Sequence, residues 1–254
     1  MSRSVGVGIP AYRPDVGRLS EYVEAIHASL DPATIRIEWD MPRPNAPAQL
    51  ADSPATVNTV PKRRGKGAAV TAGFEALETD VLAFVDADGA TPASELAKVI
   101  EPVLSGRADL AAGSRRHPNA RVMTHQTRTR RYLGDAFAWV ARRMLDPNLY
   151  DYQCGAKAIT AEGWEQVRDH LYESGFAWDV DLLAMAGAME LRVEEVPIEW
   201  YDRPGSTVSP VGASLEMGQA LFSARHRAER LRNSRLHTAI AERRDESTAL
   251  IEEK

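Results

Sequence analysis

Asp86 and Asp88 stand one residue apart, directly after the apolar run Val81 to Val85, and Gly89 follows them. An apolar run of this continuity reads as a strand buried on both faces of a parallel sheet. Ligands of open α/β sheets gather at the carboxyl ends of the strands. Two carboxylates there can share one hard divalent cation, and that cation can bridge a diphosphate. An Asp-Gly turn with a solvated neighbour is the alternative reading, so the surrounding chain must decide.

Three other stretches carry chemistry. Lys62-Arg-Arg-Gly-Lys-Gly67 precedes a helical stretch, Ala68 to Leu77. Glycines at a helix start let backbone N–H groups approach an anion, helped by the helix dipole. The spacing is not that of a P-loop, and no Ser or Thr follows Lys66; a basic surface turn is the alternative. Asp179 and Asp181 fall in the first turn of a helix beginning near Phe176 and running to Met189. The dipole favours carboxylates there, so helix stabilisation alone accounts for them. Between Arg115 and Arg143 the chain places eight arginines against one acid, Asp135. Such a concentration faces anions. With Phe137, Val140, Ala141 and Met144 at helical spacing, it suits a membrane surface or a lipid phosphate. It also suits a core helix with a solvated basic side.

The elements that must position these residues follow from periodicity. Strands are expected at Val5 to Ile9 (stopped by Pro10), Ile35 to Trp39 (reaching Asp40), Val57 to Val60, Val81 to Val85, Ala108 to Ala112, Ala158 to Thr160 and Arg192 to Trp200. Helices are expected at Val16 to Leu30, from Pro92 and Ser94 through Leu104, at Ala161 to Leu171, and from Leu215 onward. In that last helix Met217, Leu221, Ala224, Ala228 and Leu231 form one stripe. Strands alternating with helices predict an α/β layered fold with a mostly parallel sheet.

Composition narrows the classes. The 254 residues suit one large domain or two small ones. The 44% apolar and 26% charged shares are those of a soluble globular protein. A net charge of −5 gives no indication of nucleic acid as a partner. The single cysteine, Cys154, cannot form an internal disulfide and fits a reducing compartment. No signal peptide and no membrane span are expected.

Taken together, Arg64-Gly-Lys-Gly67 with Gly73, Asp86-Ala-Asp-Gly-Ala-Thr91, Gly113-Ser-Arg115, Gln153-Cys-Gly155 with Lys157, Trp178-Asp-Val-Asp-Leu-Leu183 and Pro197 to Ser206 form a pattern. In order and spacing it resembles the family 2 glycosyltransferases, above all dolichyl-phosphate glucosyltransferases and their archaeal hexosyltransferase relatives. The resemblance runs from about Val5 to Pro210. It implies the GT-A nucleotide-sugar-binding fold over residues 1–213, leaving 214–254 as a basic amphipathic helix and charged tail.

It also implies roles. Pro10, Ala11 and Tyr12 would hold base and ribose, with Asp40 on the base. Lys66, Gly67, Asp86 and Ala87 would lie along the nucleotide-sugar, and Asp88 would hold Mg²⁺ or Mn²⁺. Arg115, Arg131, Gln153 and Lys157 would face the sugar or the acceptor phosphate. Asp179 would be the base or acceptor-site carboxylate, and Arg203 and Ser206 would close over the diphosphate. The implied reaction is inverting transfer of a hexose, from UDP-glucose by preference, to a polyprenyl phosphate. It would take place peripherally on the cytoplasmic membrane face. A hydroxyl or lipid-linked saccharide acceptor, and a nucleotidyltransferase, are the alternatives. Two departures from the family pattern fall in the nucleotide half: Arg13-Pro14 after Ala11-Tyr12, and Glu38-Trp-Asp-Met-Pro42 in place of the usual acidic turn.

Overall fold

The computed structural model describes residues 3–123, 128–201, 210–232 and 249–252, with side chains outside that description at 128–133 and 210–216. In chain order the elements are β1 (Val5–Tyr12), α1 (Val16–Leu30), β2 (Thr34–Asp40), β3 (Ala55–Val60), α2 (Lys66–Glu75), β4 (Val81–Val85), α3 (Ala93–Leu104) and β5 (Leu110–Ser114). There follow β6 (Arg121–Val122), α4 (Arg128–Met144), β7 (Ala156–Thr160), α5 (Ala161–Val167), α6 (Trp178–Ala188), β8 (Val193–Pro197), β9 (Glu199–Trp200) and α7 (Pro210–Leu231). Seven strands form one sheet in the order β3-β2-β1-β4-β7-β5-β8, and β6 pairs with β9 in a small parallel ribbon. Within the large sheet only β7 runs against its neighbours, β4 and β5. The mostly parallel α/β sheet expected from the sequence is therefore present.

Alternation along β4 decides what faces where, because successive side chains point to opposite sides of a sheet. Val81, Ala83 and Val85 enter the core under α1 and α3, while Leu82 and Phe84 enter the core built with α2, α5, α6 and α7. Asp86 follows in the same phase as Phe84. Lys157 lies directly opposite Phe84 in the β4–β7 register. Strand pairing thus delivers one acid and one base to the same face.

Five expectations are corrected. Pro10 does not stop β1, which continues to Tyr12. Pairing with β4 ends at Gly8, while pairing with β2 continues to Tyr12 opposite Asp40. A proline is tolerated where one side of a strand is unpaired. β7 begins at Ala156, which makes Lys157 a strand residue instead of a loop residue. The helix expected through Leu171 is α-helical only to Val167 and tightens into a 3-10 turn, Arg168–His170. The long strand expected from Arg192 to Trp200 is divided: β8 pairs with β5 and, past Pro197, β9 pairs with β6. α7 starts at Pro210, ahead of residue 214, and buries Met217, Leu221, Ala224 and Ala228 against the body.

Beneath the carboxyl end of β4 and the amino end of β7 lies an aromatic cluster. Phe74 meets Trp164 edge-on at 5.0 Å, and Phe84 meets Trp178 edge-on at 5.4 Å. The polar atoms are satisfied: Trp178 Nε1 donates to Thr71 Oγ1 at 3.0 Å and Trp164 Nε1 to Glu75 Oε1 at 2.8 Å. Edge-to-face contacts add to burial, and together they fix the floor on which the polar residues stand. Among the described residues no helix is long and apolar enough to cross a membrane. Phe74→Ala should cost roughly 3–5 kcal/mol, the range for truncating a buried aromatic side chain. A urea midpoint that scarcely moves would show that the cluster is not what fixes the floor.

Candidate active site

At the carboxyl ends of the strands two lysines and two aspartates form a continuous chain. Lys66, the first residue of α2, places its Nζ 2.9 Å from Asp86 Oδ1 and 2.9 Å from Asp179 Oδ2. Lys157 on β7 places its Nζ 2.7 Å from Asp179 Oδ1 and donates to the Cys154 carbonyl at 2.7 Å. Both ammonium groups also lie against the face of Phe84, at 5.1 and 5.7 Å from the ring centre. Asp179 and Lys157 are each only 1% exposed. Two positive and two negative charges make the group neutral, and charge-assisted hydrogen bonds of this length are strong ones.

The environment sets each ionisation. Burial works against the charge on Asp179, but Lys157 and Lys66 outweigh it and hold the carboxyl below its ordinary range. Burial also works against charge on Lys66, yet Asp179 and Asp86 hold its ammonium above the ordinary value. Asp86 goes the other way: burial raises it, Lys66 opposes, and the neighbouring Asp88 and Asp179 raise it further. Its side chain is still 41% exposed and faces the open end of the sheet. Gly155 is required beside it, because a Cβ there would collide with the Asp86 carboxylate. Burial pushes the thiol of Cys154 up to about 12 and keeps it protonated.

The strand ends around this chain are clamped by buried ion pairs. Asp40, at the end of β2, accepts from the Arg64 N–H at 2.6 Å, Arg64 Nε at 2.8 Å and the Gly65 N–H at 3.2 Å. Glu38 takes Arg64 Nη2 at 2.9 Å. Asp40, expected on the base, therefore holds the loop that carries Lys66. Gly67 was expected to offer its N–H to an anion, but that N–H donates to the Gly175 carbonyl at 3.2 Å, and Ala68 N–H donates to the Ser174 carbonyl. The start of α2 is capped by protein and is not an open anion site. Arg115, expected to face sugar or phosphate, grips Asp151 through Nε (2.7 Å) and Nη2 (3.0 Å). Burial opposes charge on Asp151, but Arg115 holds its carboxyl well below the usual range.

Other expected residues fall around the rim. Tyr12 ends β1 opposite Asp40, and the guanidinium groups of Arg63 and Arg13 lie 4.4 and 5.1 Å from its ring centre. Pro10 and Ala11 precede it on the same strand. Asp88 is exposed, and its Oδ1 accepts from the Ala90 N–H at 2.9 Å, which fixes the turn after Asp86-Ala87. Gln153 lies in the loop before β7, where its N–H donates to Asp151 Oδ1. Arg131 is in α4 but its side chain lies outside the described residues, as do Arg203 and Ser206 altogether.

Three contributors were not visible beforehand. Asp151 stands two residues before Gln153-Cys-Gly155, and nothing in the sequence pairs it with Arg115. Tyr22 reads as one more apolar-face residue of α1, whereas its hydroxyl donates to the Thr91 carbonyl in the loop after Asp88. Burial, with Asp88 and Asp86 adding to it, pushes that phenol up. The third is the segment 172–175, whose carbonyls cap α2.

Among the described residues no three His, Cys, Asp or Glu side chains converge as a metal cage. The exposed carboxylate of Asp88 fits a hard cation that keeps waters and takes its other ligands from substrate phosphates.

Residues 44–162 match the family described as Glycosyl transferase family 2. Over 160 residues the chain is 34% identical to the glycosyltransferase AglD of Haloferax volcanii, covering 63% of this chain and 25% of that protein. It is 30% identical over 180 residues to the dolichyl-phosphate beta-glucosyltransferase of Mus musculus, covering 67% of this chain and 54% of that one. It is 34% identical over 143 residues to the undecaprenyl-phosphate mannosyltransferase of Micrococcus luteus, covering 55% and 58%. The match thus spans a quarter to somewhat over half of these relatives' own lengths. Among solved structures, glucosyl-3-phosphoglycerate synthase from Mycobacterium tuberculosis, in complex with Mn²⁺, UDP and phosphoglyceric acid, aligns with a TM-score of 0.69. The identity is 16%, over 88% of this chain and 78% of that one, so the likeness is one of fold. The GT-A fold expected from the motifs is the fold observed.

Asp179→Asn leaves two buried ammonium groups facing a neutral amide. It should cost roughly 3–5 kcal/mol at neutral pH, the range for breaking a buried pair from one side. Because the folded-state carboxyl is held low, its contribution is complete above the unfolded value and fades as pH falls through the folded one. The stability gap between parent and variant should therefore be widest above about pH 4 and close in more acid solution. Urea melts across pH would show this, and a gap that widens on acidification would contradict it.

Proposed function

We propose that this chain, whose residues 44–162 match glycosyltransferase family 2, is an inverting hexosyltransferase using a nucleotide-diphosphate sugar and a polyprenyl phosphate. UDP-glucose is the favoured donor and dolichyl phosphate the favoured acceptor, as the names of the relatives suggest. The observation that carries the acceptor class is the state of Asp179. A general base must take up a proton readily near working pH. Asp179 is buried, bonded by a lysine at each oxygen and held below the ordinary carboxylate range. It is built to stay ionised and to fix the two lysines. A hydroxyl acceptor needs a base; a phosphate monoester is largely ionised at neutral pH and needs none. The acceptor phosphate oxygen then bonds to the anomeric carbon from the face opposite the leaving diphosphate, whose bond to that carbon breaks.

The charge balance supports a cation at Asp88. Lys66 and Lys157 are matched by Asp86 and Asp179, so this neutral group leaves the charge of a diphosphate unmet. Mg²⁺ or Mn²⁺ on Asp88 would supply that charge to the leaving diphosphate. Around it, Pro10, Ala11 and Tyr12 would bind the nucleoside at the β1 end. Lys66, Asp86 and Ala87 would line the donor sugar, and Asp40 keeps Lys66 and Gly67 in place. Arg115, anchored by Asp151, would position Gln153 and the sugar side of the site. Arg131, Arg203 and Ser206 take their roles at the acceptor and the diphosphate from family resemblance alone.

A lipid acceptor calls for contact with the bilayer surface, which we place on the cytoplasmic face. Trp139 on α4 is 55% exposed with the Arg143 guanidinium 3.7 Å above its ring, and Phe222 on α7 is 65% exposed. An aromatic ring beside a cation suits the headgroup boundary of an anionic membrane.

With radiolabelled UDP-glucose, dolichyl phosphate and Mn²⁺ or Mg²⁺, label should enter the organic phase. Asp88→Ala should reduce transfer about a hundredfold or more, as loss of several kcal/mol of charge stabilisation requires. Label found only in a water-soluble glycoside would move the acceptor to a hydroxyl, and full transfer by Asp88→Ala would remove the metal assignment. Binding to anionic vesicles should weaken with salt and by roughly tenfold in Trp139→Ala, in keeping with burial of an aromatic ring. Binding indifferent to salt and to the tryptophan would sink the membrane surface proposed here.

A further inference from the structure

Asp181 sits two residues beyond Asp179 on α6, is 0% exposed and points away from the lysines. Its Oδ2 accepts the N–H groups of Tyr172 (2.9 Å) and Glu173 (3.3 Å). Its Oδ1 is bonded by Nη2 of Arg227, from α7, at 2.8 Å. The same guanidinium reaches Glu173 Oε1 at 3.2 Å and lies 5.1 Å from the ring centre of Tyr172. Arg227 thus touches Asp181 and both residues whose amides Asp181 holds.

The segment so held continues directly onto α2, the helix that begins at Lys66. The Ser174 and Gly175 carbonyls accept from Ala68 and Gly67 N–H at 3.1 and 3.2 Å. The fit is flush: a Cβ on Gly65 would collide with the Ser174 carbonyl, and one on Gly67 with the Glu173 carbonyl. Lys66 lies between these two glycines. Its ammonium can reach Asp86 and Asp179 together only while the start of α2 stays against this segment.

From this continuous set of contacts we propose that Arg227 is a positioning residue for Lys66. α7 is then part of the apparatus that sets the site, acting through Asp181 and residues 172–175. Without the guanidinium, Asp181 is a buried carboxylate facing two amides alone, which is costly. The segment relaxes, the cap on α2 loosens, and Lys66 loses its fixed place. Displacements of about 1 Å at a reacting centre cost on the order of a hundredfold in rate. The kinetic part of this inference rests on the hexosyltransfer reading above; the structural part does not.

The experiment compares the full-length parent, Arg227→Ala and Arg227→Lys. It measures amide hydrogen exchange, thermal midpoint, and kcat and KM for the donor. In Arg227→Ala the amides of Gly67 and Ala68 should exchange at least about tenfold faster, an opening cost of some 1.4 kcal/mol. Exchange in the central strands should keep its parent rate. kcat should fall about ten- to a hundredfold while donor KM changes little. Arg227→Lys, which returns a cation to Asp181, should restore most of both. Unchanged exchange at Gly67 and Ala68, or faster exchange spread evenly over the whole sheet, would overturn the proposal and leave Arg227 as a fastener of α7. If Arg227→Ala does not fold, Arg227→Gln takes its place under the same criteria. A parent that transfers no sugar overturns the hexosyltransfer reading, and the exchange data still decide the positioning role.

Discussion

Asp179 held between two lysines in a buried recess is the contact on which the site depends. It draws together α2, β7 and α6. Buried charges of this kind are stable only as a complete set, since removing one leaves the others uncompensated. The surrounding polar network is therefore built for placement. Arg64 between Glu38 and Asp40 fixes the approach to Lys66, and Arg115 on Asp151 fixes the loop that leads to Lys157. Each is a bidentate or doubled contact, the geometry that an arginine fork holds best.

Four aspartates near one another sit in four different surroundings, and position alone distinguishes them. Asp179 is held ionised by two cations. Asp86, one cation and two acidic neighbours away, is pushed toward the neutral form. Asp181 is pushed up by burial in spite of Arg227. Asp88 stands in solvent with one oxygen accepting from its own turn. Environments that drive like groups apart mark a division of labour. Here the outermost carboxylate is the one proposed to hold a cation, and the innermost ones hold the frame.

Much of this was legible in the sequence, for physical reasons that also say where it stopped. The five-residue apolar run of β4 read correctly as a buried strand, with Asp86 and Asp88 at its carboxyl end. The stripe from Met217 to Leu231 read correctly as one helical face, and the core now covers it. Pro10 misled because a proline is a stop signal only where both neighbours demand an N–H, and β4 releases β1 at Gly8. The glycine-rich start of α2 looked like an anion cradle because glycines that admit a phosphate equally admit a carbonyl. Only tertiary structure says that Ser174 and Gly175 lie there. Ion pairs such as Arg115 with Asp151, 36 residues apart, and Arg227 with Asp181, 46 apart, leave no periodic trace.

A site whose lysines are already matched has a particular consequence for charge. Lys66 and Lys157 are available to hold Asp86 and Asp179 and not to neutralise phosphates. Two anionic substrates must nevertheless meet there if a diphosphate sugar reacts with a lipid phosphate. The field that draws them in has to come from outside the buried group. The candidates are the cation fitted to Asp88 and the arginines concentrated between Arg115 and Arg143. Arg115 and Arg116 are committed to Asp151 and Asp135, and Arg142 and Arg143 stand farther along the chain, on α4. Arg142 lies over Tyr150 and Arg143 over Trp139, next to exposed aromatic surface. On the proposed reading, a membrane-borne phosphate would meet the arginines of α4 first, because the two lysines of the buried group are already held by Asp86 and Asp179.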